Sequence, residues 1–191
     1  MLRRAVLTVA LLNLGYGIVE FAVALQIGSV SLFADSVDFF EDTSVNLLIF
    51  IGLAWSAKKR ARLGMVLAGI LLVPAAATLW TGIEKFLHPA TPDAFSLSLT
   101  GFGALLVNLS CALILTKYRS HSGSLTRAAF LSARNDAFAN LAIIAAGLVT
   151  AYLWQSVWPD LLVGMGIAAL NADAAREVWQ AAREEHRAAE A

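Results

Sequence analysis

Long apolar stretches alternate with short polar links along almost the whole chain. Six stretches reach the length of about 20 residues that a helix needs to cross a hydrocarbon core. They run over Ala5–Ile27, Val30–Ala57, Leu63–Leu87, Ala94–Thr116, Leu125–Trp154 and Val157–Val178. The short links leave no room for an inserted domain, so consecutive helices should lie side by side. The pattern predicts an all-α fold: a polytopic membrane protein with a six-transmembrane-helix bundle.

The composition supports a lipid bilayer as the surroundings of this chain. Of its 191 residues, 59% are hydrophobic and only 15% are charged, an apolar fraction that soluble domains of this size rarely reach. The 14 basic and 14 acidic residues give no net charge, and no basic tract indicates nucleic acid as a partner. The single cysteine, Cys111, cannot form an intrachain disulfide and is expected to be a small buried residue.

Basic residues are concentrated at the two chain ends and in alternate links, whereas the opposite links hold little besides Lys85. By the positive-inside rule, this distribution predicts that both termini are cytoplasmic, which agrees with an even number of spans. The first stretch is expected to be a retained helix rather than a cleaved signal. Residues 1–180 should form one transmembrane domain, and residues 181–191 a short cytoplasmic helical tail.

Carboxylates occur where apolar residues would be expected. Asp35, Asp38 and Asp42 are three, four and seven residues apart, a spacing that puts them on one face of the second helix. At about 1.5 Å per residue, Asp42 and Asp136 of the fifth helix lie about 16 Å and 14 Å from opposite membrane surfaces. In a core about 30 Å thick, both are therefore close to the midplane. Two helices are predicted to bring carboxylates to one depth.

Such acids favour an ion path, because an ionised carboxylate inside a bilayer is costly. The competing interpretation is a set of acids that are neutral or paired, with Arg134 as the nearest basic partner. Crowded carboxylates repel one another and lose hydration, so an empty site should hold protons that a divalent cation displaces. The sequence has no phosphate-binding loop and no GxSxG or HExxH motif, so neither a nucleotide-driven pump nor an enzyme is predicted.

Two segments of the chain match known sequence motifs. Gly28–Asp38, closing with Asp42, resembles SLALLADAxHxxxD, and Leu125–Leu131, followed by Asp136, resembles RAAYLHxxxD. Both motifs are those of the cation diffusion facilitator, or cation efflux, family, which the chain therefore resembles. Further polar or proline positions of the family are matched by Asn13, Glu20, Asn108 and Pro89. The resemblance covers essentially the whole chain. It implies a secondary transporter that exports a divalent metal cation in exchange for protons.

The resemblance also implies a metal site with two residues four apart on helix 2 and two on helix 5. In this chain they are Asp38, Asp42, Ser132 and Asp136, with Ser132 where the family has His or Asp. A hydroxyl is a poor ligand, and carboxylates and water suit hard cations. Ser132 therefore weakens the expectation of zinc and opens the site to harder ions such as manganese or iron. The divalent cation is cargo, and no prosthetic group is implied.

Compared with the family, we expect this chain to be without the cytosolic C-terminal domain that usually helps these proteins dimerise. A short form is expected, located in a bacterial inner membrane, in which a homodimer could form only through transmembrane helices. The alternative function is a non-transporting membrane metal sensor or an accessory subunit, with a site degraded by Ser132.

Five other polar residues leave their roles open. Asn140 could be an amide ligand or a polar contact within the bundle, and Asp35 could support the site or act as an entrance charge. Glu41 could assist proton exchange or make a bundle contact. Glu20 could pair with a hydroxyl of the bundle or shuttle protons. Asp93 lies beside prolines, where a turn is favoured.

Overall fold

A computed structural model describes residues 2–52, 76–116 and 124–170, together with Arg176 and Gln180. Within these ranges the chain is helical, with no strand, which confirms the all-α prediction. The helices are α1 (Leu2–Ile27), α2 (Val30–Gly52), α3 (76–87), α4 (Ala94–Thr116), α5 (Ser124–Tyr152) and α6 (Trp158–Leu170). Side chains are described in α5 only from Asn135 onward.

The helix ends agree closely with the hydrophobic pattern. α4 covers the predicted range Ala94–Thr116 without change, and α2 begins at Val30 as predicted. α1 begins earlier than predicted, at Leu2, because Leu2 to Arg4 continue the helix ahead of the apolar run. Residues 53–75, which hold the predicted link between the second and third helices, and the predicted tail 181–191 lie outside the described residues.

Length and composition identify two of the described helices as able to cross a membrane, Arg3–Ile27 and Ala94–Thr116. α2 has a comparable length of 23 residues, but it carries four acidic residues, more charge than a membrane-spanning segment usually has. Large apolar side chains cover the outside of the bundle; on α4, for example, Phe95 is 74% exposed and Leu113 70%. Exposed apolar side chains of this kind on the described helices suit contact with lipid.

Four of the helices form the bundle that holds the candidate site. α1 packs along α2 and α4 along α5, and these pairs meet through α1 against α4 and α2 against α5. One apolar cluster includes Val6, Ile49 and Leu115, and another includes Ala24, Leu97 and Ile143. The buried polar side chains of α1 and α4 lie between these two clusters. Cys111 is fully buried, as predicted.

The turn from α1 to α2 is made by Gly28, whose φ of 64° lies in the left-handed region that glycine adopts without strain. The backbone N–H of Ser29 donates to the carbonyl of Ala24 (3.0 Å), which closes the end of α1. Lys85 of α3 donates from Nζ to the carbonyl oxygen of Gly28 (2.5 Å). The turn is therefore attached to α3 as well as to its own two helices.

The carboxylate of Asp160, at the beginning of α6, binds the first residues of α2. It accepts from the backbone N–H groups of Val30 (2.8 Å) and Ser31 (3.2 Å). The hydroxyls of Ser29 and Ser31 each donate to it at 2.6 Å. The first N–H groups of a helix lack partners within the helix and favour a negative charge. Asp160 is thus a capping residue supplied by another helix, and it ties α6 to the turn.

Removal of this cap should destabilise the bundle. Asp160→Ala is expected to lower the free energy of unfolding by about 1–3 kcal/mol, because several buried donors lose their acceptor. Thermal unfolding of the purified protein in detergent checks this. The control is Glu84→Gln, which changes an exposed acid of α3 and should leave the melting temperature unchanged. Equal melting temperatures for both variants would contradict the capping role.

A second carboxylate caps α4 from its own sequence neighbourhood. The backbone N–H of Ser96 donates to Oδ1 of Asp93 (2.8 Å). Hydrogen bonds from the side chain and the backbone of Ser96 hold the pKa of Asp93 below its ordinary value. Asp93 was expected to lie in a turn, and in the structure it also caps the beginning of α4.

Gly164 lets α6 lie directly against the beginning of α2. A Cβ at this position would be 2.6 Å from the backbone nitrogen of Ser31, whereas at Gly166 it would meet nothing within 4 Å. Gly166→Ala should raise the free energy of unfolding by up to about 1 kcal/mol through helix propensity. Gly164→Ala should instead lower it, because backbone atoms cannot move aside. Similar melting temperatures for the two variants would show that α6 does not pack this closely.

Candidate metal centre

The acidic residues of α2 lie on the side of the helix that faces α1 and α5. Asp35 and Asp42 are buried, and Asp38 and Glu41 are partly buried. The carboxyl of Asp38 is close enough to interact electrostatically with the other three and with Asp136 of α5. The spacing of three and four residues therefore produces one acidic face, as the sequence predicted.

Asp42 and Asp136 meet across the contact between α2 and α5. The carboxyl of Asp136 lies within hydrogen-bonding reach of Asp42. From α1, Asn13 donates from Nδ2 to Oδ2 of Asp42 (3.3 Å), and Oδ1 of Asn13 accepts from the thiol of Cys111 on α4 (3.3 Å). All four helices of the bundle thus contribute to the surroundings of Asp42. The structure brings together the two acids that were assigned to the same depth.

The remaining two predicted ligands are less closely associated with this pair. Asp38 is near Asp136, but within the described ranges no three His, Cys, Asp or Glu side chains are grouped so that they could hold one ion. Ser132 lies on α5 one helical turn before Asp136, and its side chain is outside the described part. Coordination of one ion by Asp38, Asp42 and Asp136 would require their side chains to turn toward one another. The metal site of four residues therefore stays a prediction.

A second group of buried polar side chains lies toward the Gly28 end of the bundle. Asn140 of α5 donates from Nδ2 to Oδ2 of Asp35 (2.5 Å), and its Oδ1 accepts from Nδ2 of Asn108 on α4 (3.0 Å). Glu20 of α1 is fully buried, and its carboxyl is close to that of Asp35. This group connects α1, α2, α4 and α5 at a different depth in the bundle from the Asp42–Asp136 pair.

The structure decides between several of the alternatives left open by the sequence. Asn140 makes a polar contact within the bundle, since its amide oxygen is already bonded to Asn108. Asp35 is 0% exposed and therefore cannot act as an entrance charge. Neither carboxylate oxygen of Glu20 has a hydrogen-bond partner among the described residues, so the expected pairing with a hydroxyl is not found there.

Sequence reasoning missed Asn46, which continues the acidic face of α2. Its Nδ2 donates to the backbone oxygen of Asp42 (2.8 Å), while its buried Oδ1 has no hydrogen-bond partner in the described part of the chain. The signal was available, because Asp38, Asp42 and Asn46 repeat at intervals of four. Asp160 was also missed, and there the sequence contains no comparable periodic signal.

The comparison with known families covers nearly the whole chain. Residues 6–184 match the family model described as the cation efflux transmembrane domain. The match begins in α1, continues beyond Leu170, and includes both motifs on which the resemblance was based. No match is found among individually curated proteins.

Proposed function

The chain belongs to the cation efflux family, whose members carry metal cations across membranes, and we propose that it exports a divalent cation in exchange for protons. The metal is the substrate of this reaction. Its site would be formed by Asp38 and Asp42 of α2 with Ser132 and Asp136 of α5. From the distribution of basic residues, both termini would lie in the cytoplasm, and we propose a bacterial inner membrane as the location.

The observation that carries this proposal is the meeting of Asp42 and Asp136. Two carboxyl groups within hydrogen-bonding reach can share a proton, because one of them must then donate. A doubly charged ion placed between them would neutralise both groups and displace that proton. Loading of metal and release of protons are thereby coupled at one pair of side chains. Rocking of helices around a fixed central site would expose it alternately to the two sides.

The ligand chemistry favours a cation that prefers oxygen. Three carboxylates, one hydroxyl and water form the proposed donor set, with no imidazole. Such a set suits manganese, magnesium or ferrous iron better than zinc, for which nitrogen or sulfur ligands are typical. We propose manganese or ferrous iron as the first ions to test, with zinc as a weaker substrate.

The second candidate function is a metal sensor or accessory subunit without transport. One observation favours it: in the ranges that the structure describes, three acids do not group around a common point. In this case the chain would bind metal weakly or not at all, and no proton would move.

Flux measurements with the purified protein in liposomes test the proposal. A pH-sensitive dye is enclosed, and manganese, ferrous iron, zinc or magnesium is added outside. Exchange predicts metal uptake with a rise in internal pH, both absent from protein-free liposomes. Uptake without any pH change would refute exchange with protons, and the lack of uptake for every ion would support the sensor or accessory role.

A further inference from the structure

Glu20 of α1 and Asp35 of α2 each carry a carboxyl group that is buried among the described residues. Both residues are 0% exposed. Both oxygens of Glu20 and Oδ1 of Asp35 have no hydrogen-bond partner among the described residues. A buried charge without a partner is strongly destabilising, so a group that neutralises these oxygens is expected at this point.

The surroundings keep the two carboxylates directed at each other. Oδ2 of Asp35 is held by Asn140, and Asn140 is itself fixed by Asn108. This leaves Oδ1 of Asp35 available on the side of Glu20. Tyr16 is close to both carboxylates, but its hydroxyl donates to the backbone oxygen of Thr100 (2.7 Å) and does not satisfy them. The carboxyls of Glu20 and Asp35 therefore lie close together, with three oxygens that have no hydrogen-bond partner in the described part of the chain.

We propose that Glu20 and Asp35 form a second cation site, separate from the Asp42–Asp136 pair. Two carboxylates supply two negative charges, which match one divalent cation. Hard cations such as Mg²⁺ and Mn²⁺ accept one or two carboxylates and complete their shell with water. The site therefore takes a divalent cation that prefers oxygen ligands.

The second site lies next to the proposed transport site. Asp35 precedes Asp38 by about one helical turn on the same face of α2, and Glu20 is close enough to Asp38 to interact with it electrostatically. The Glu20–Asp35 group therefore adjoins the acids of the proposed transport site on α2. The existence of the second site does not depend on transport, since it rests on the unsatisfied oxygens alone.

Metal binding to a protein without the first site tests this inference. Asp42→Asn and Asp136→Asn are combined, and Mn²⁺ binding to the purified double variant is measured by equilibrium dialysis. We expect one bound Mn²⁺ per chain. The further change Glu20→Gln should weaken this binding at least about tenfold, because losses of this size follow even when only a supporting partner of a metal ligand is removed. Glu84→Gln in the same background is the matched control and should bind as before.

A second variant and a second measurement distinguish a lost ligand from a damaged fold. Asp35→Asn should cause the same loss as Glu20→Gln. Mn²⁺ should raise the melting temperature of the double variant, and this shift should vanish in both triple variants. If the double variant binds no Mn²⁺, or if Glu20→Gln leaves binding unchanged, the proposal is overturned and the two carboxyls share only a proton. Such a failure would not affect the proposed transport, whose ligands are already removed in this background.

Discussion

Asp136→Asn and Asp42→Asn should each reduce metal-driven proton flux by about 100-fold or more, because even removal of a partner that merely supports a metal ligand costs about 10–100-fold in affinity. Each variant replaces a charged ligand by a neutral amide of the same shape. The amide oxygen is a weaker ligand, and the amide cannot release a proton in exchange for the metal. Flux in liposomes with the enclosed pH dye measures the effect.

The same variants should remain folded. Asn at position 136 can still donate to Asp42, and Asn at position 42 can still accept from Asn13, whose bond to Asp42 is 3.3 Å long. Since each change also removes a potential buried charge, the melting temperature is expected to stay level or rise. Glu84→Gln serves as the control and should transport normally. Normal flux in a folded Asp136→Asn variant would disprove the proposed site.

The effects of Asp42→Asn and Asp136→Asn on flux should also be non-additive. If Asp42 and Asp136 act on one ion, either substitution alone removes the function, and the double variant should be no worse than the single ones. Two independent effects would instead multiply. The comparison therefore tests whether the two residues belong to one site, without any knowledge of which metal is bound.

Helix positions were predictable from the sequence because they depend on local composition. α4 fills the predicted range Ala94–Thr116, since apolar residues begin after Pro92 and Asp93 and the run ends before charged residues. The apolar pattern was less informative for α2, where four acids interrupt it. The length of the apolar run still predicted the helix, and the intervals of three and four between the acids agree with it, since they match the helical period.

The meeting of Asp42 and Asp136 was also predictable, because the depth of a residue along a straight helix follows from counting. Which partners surround a side chain is a different matter. The bond from Asn13 to Asp42 and the contact of Glu20 with Asp35 depend on how α1 rotates against α2. Rotation is set by packing over the entire interface, and no short pattern encodes it.

The two helix caps show the same contrast between local features, which the sequence predicts, and contacts that depend on packing. Asp93 caps α4 from the residue before its first turn, an arrangement that the four positions from Asp93 to Ser96 determine. Asp160 is about 130 residues away from the beginning of α2 along the chain. It can cap α2 only because α6 packs against the beginning of that helix. Local caps can be read from sequence, whereas caps supplied by another helix require the fold.

Ser132→His should change the choice of metal rather than abolish transport. Ser132 lies one turn before Asp136 on α5, and the proposed site makes both residues ligands of the same ion. An imidazole adds a nitrogen ligand, which favours zinc over manganese. We expect the ratio of zinc to manganese transport to rise about tenfold or more, equivalent to about 1.4 kcal/mol of added preference. Competition between the two ions in the liposome assay measures this ratio.

Two further substitutions at position 132 separate ligand chemistry from size. Ser132→Ala removes the hydroxyl without adding a ligand, and it should leave the ratio nearly unchanged because water can take the vacant place. Ser132→Asp adds a carboxylate and should favour manganese, the opposite direction to histidine. An active Ser132→His variant with the ratio of the unaltered protein would place the ion beyond reach of this turn of α5. The metal would then be held by the acids of α2 with Asp136 alone.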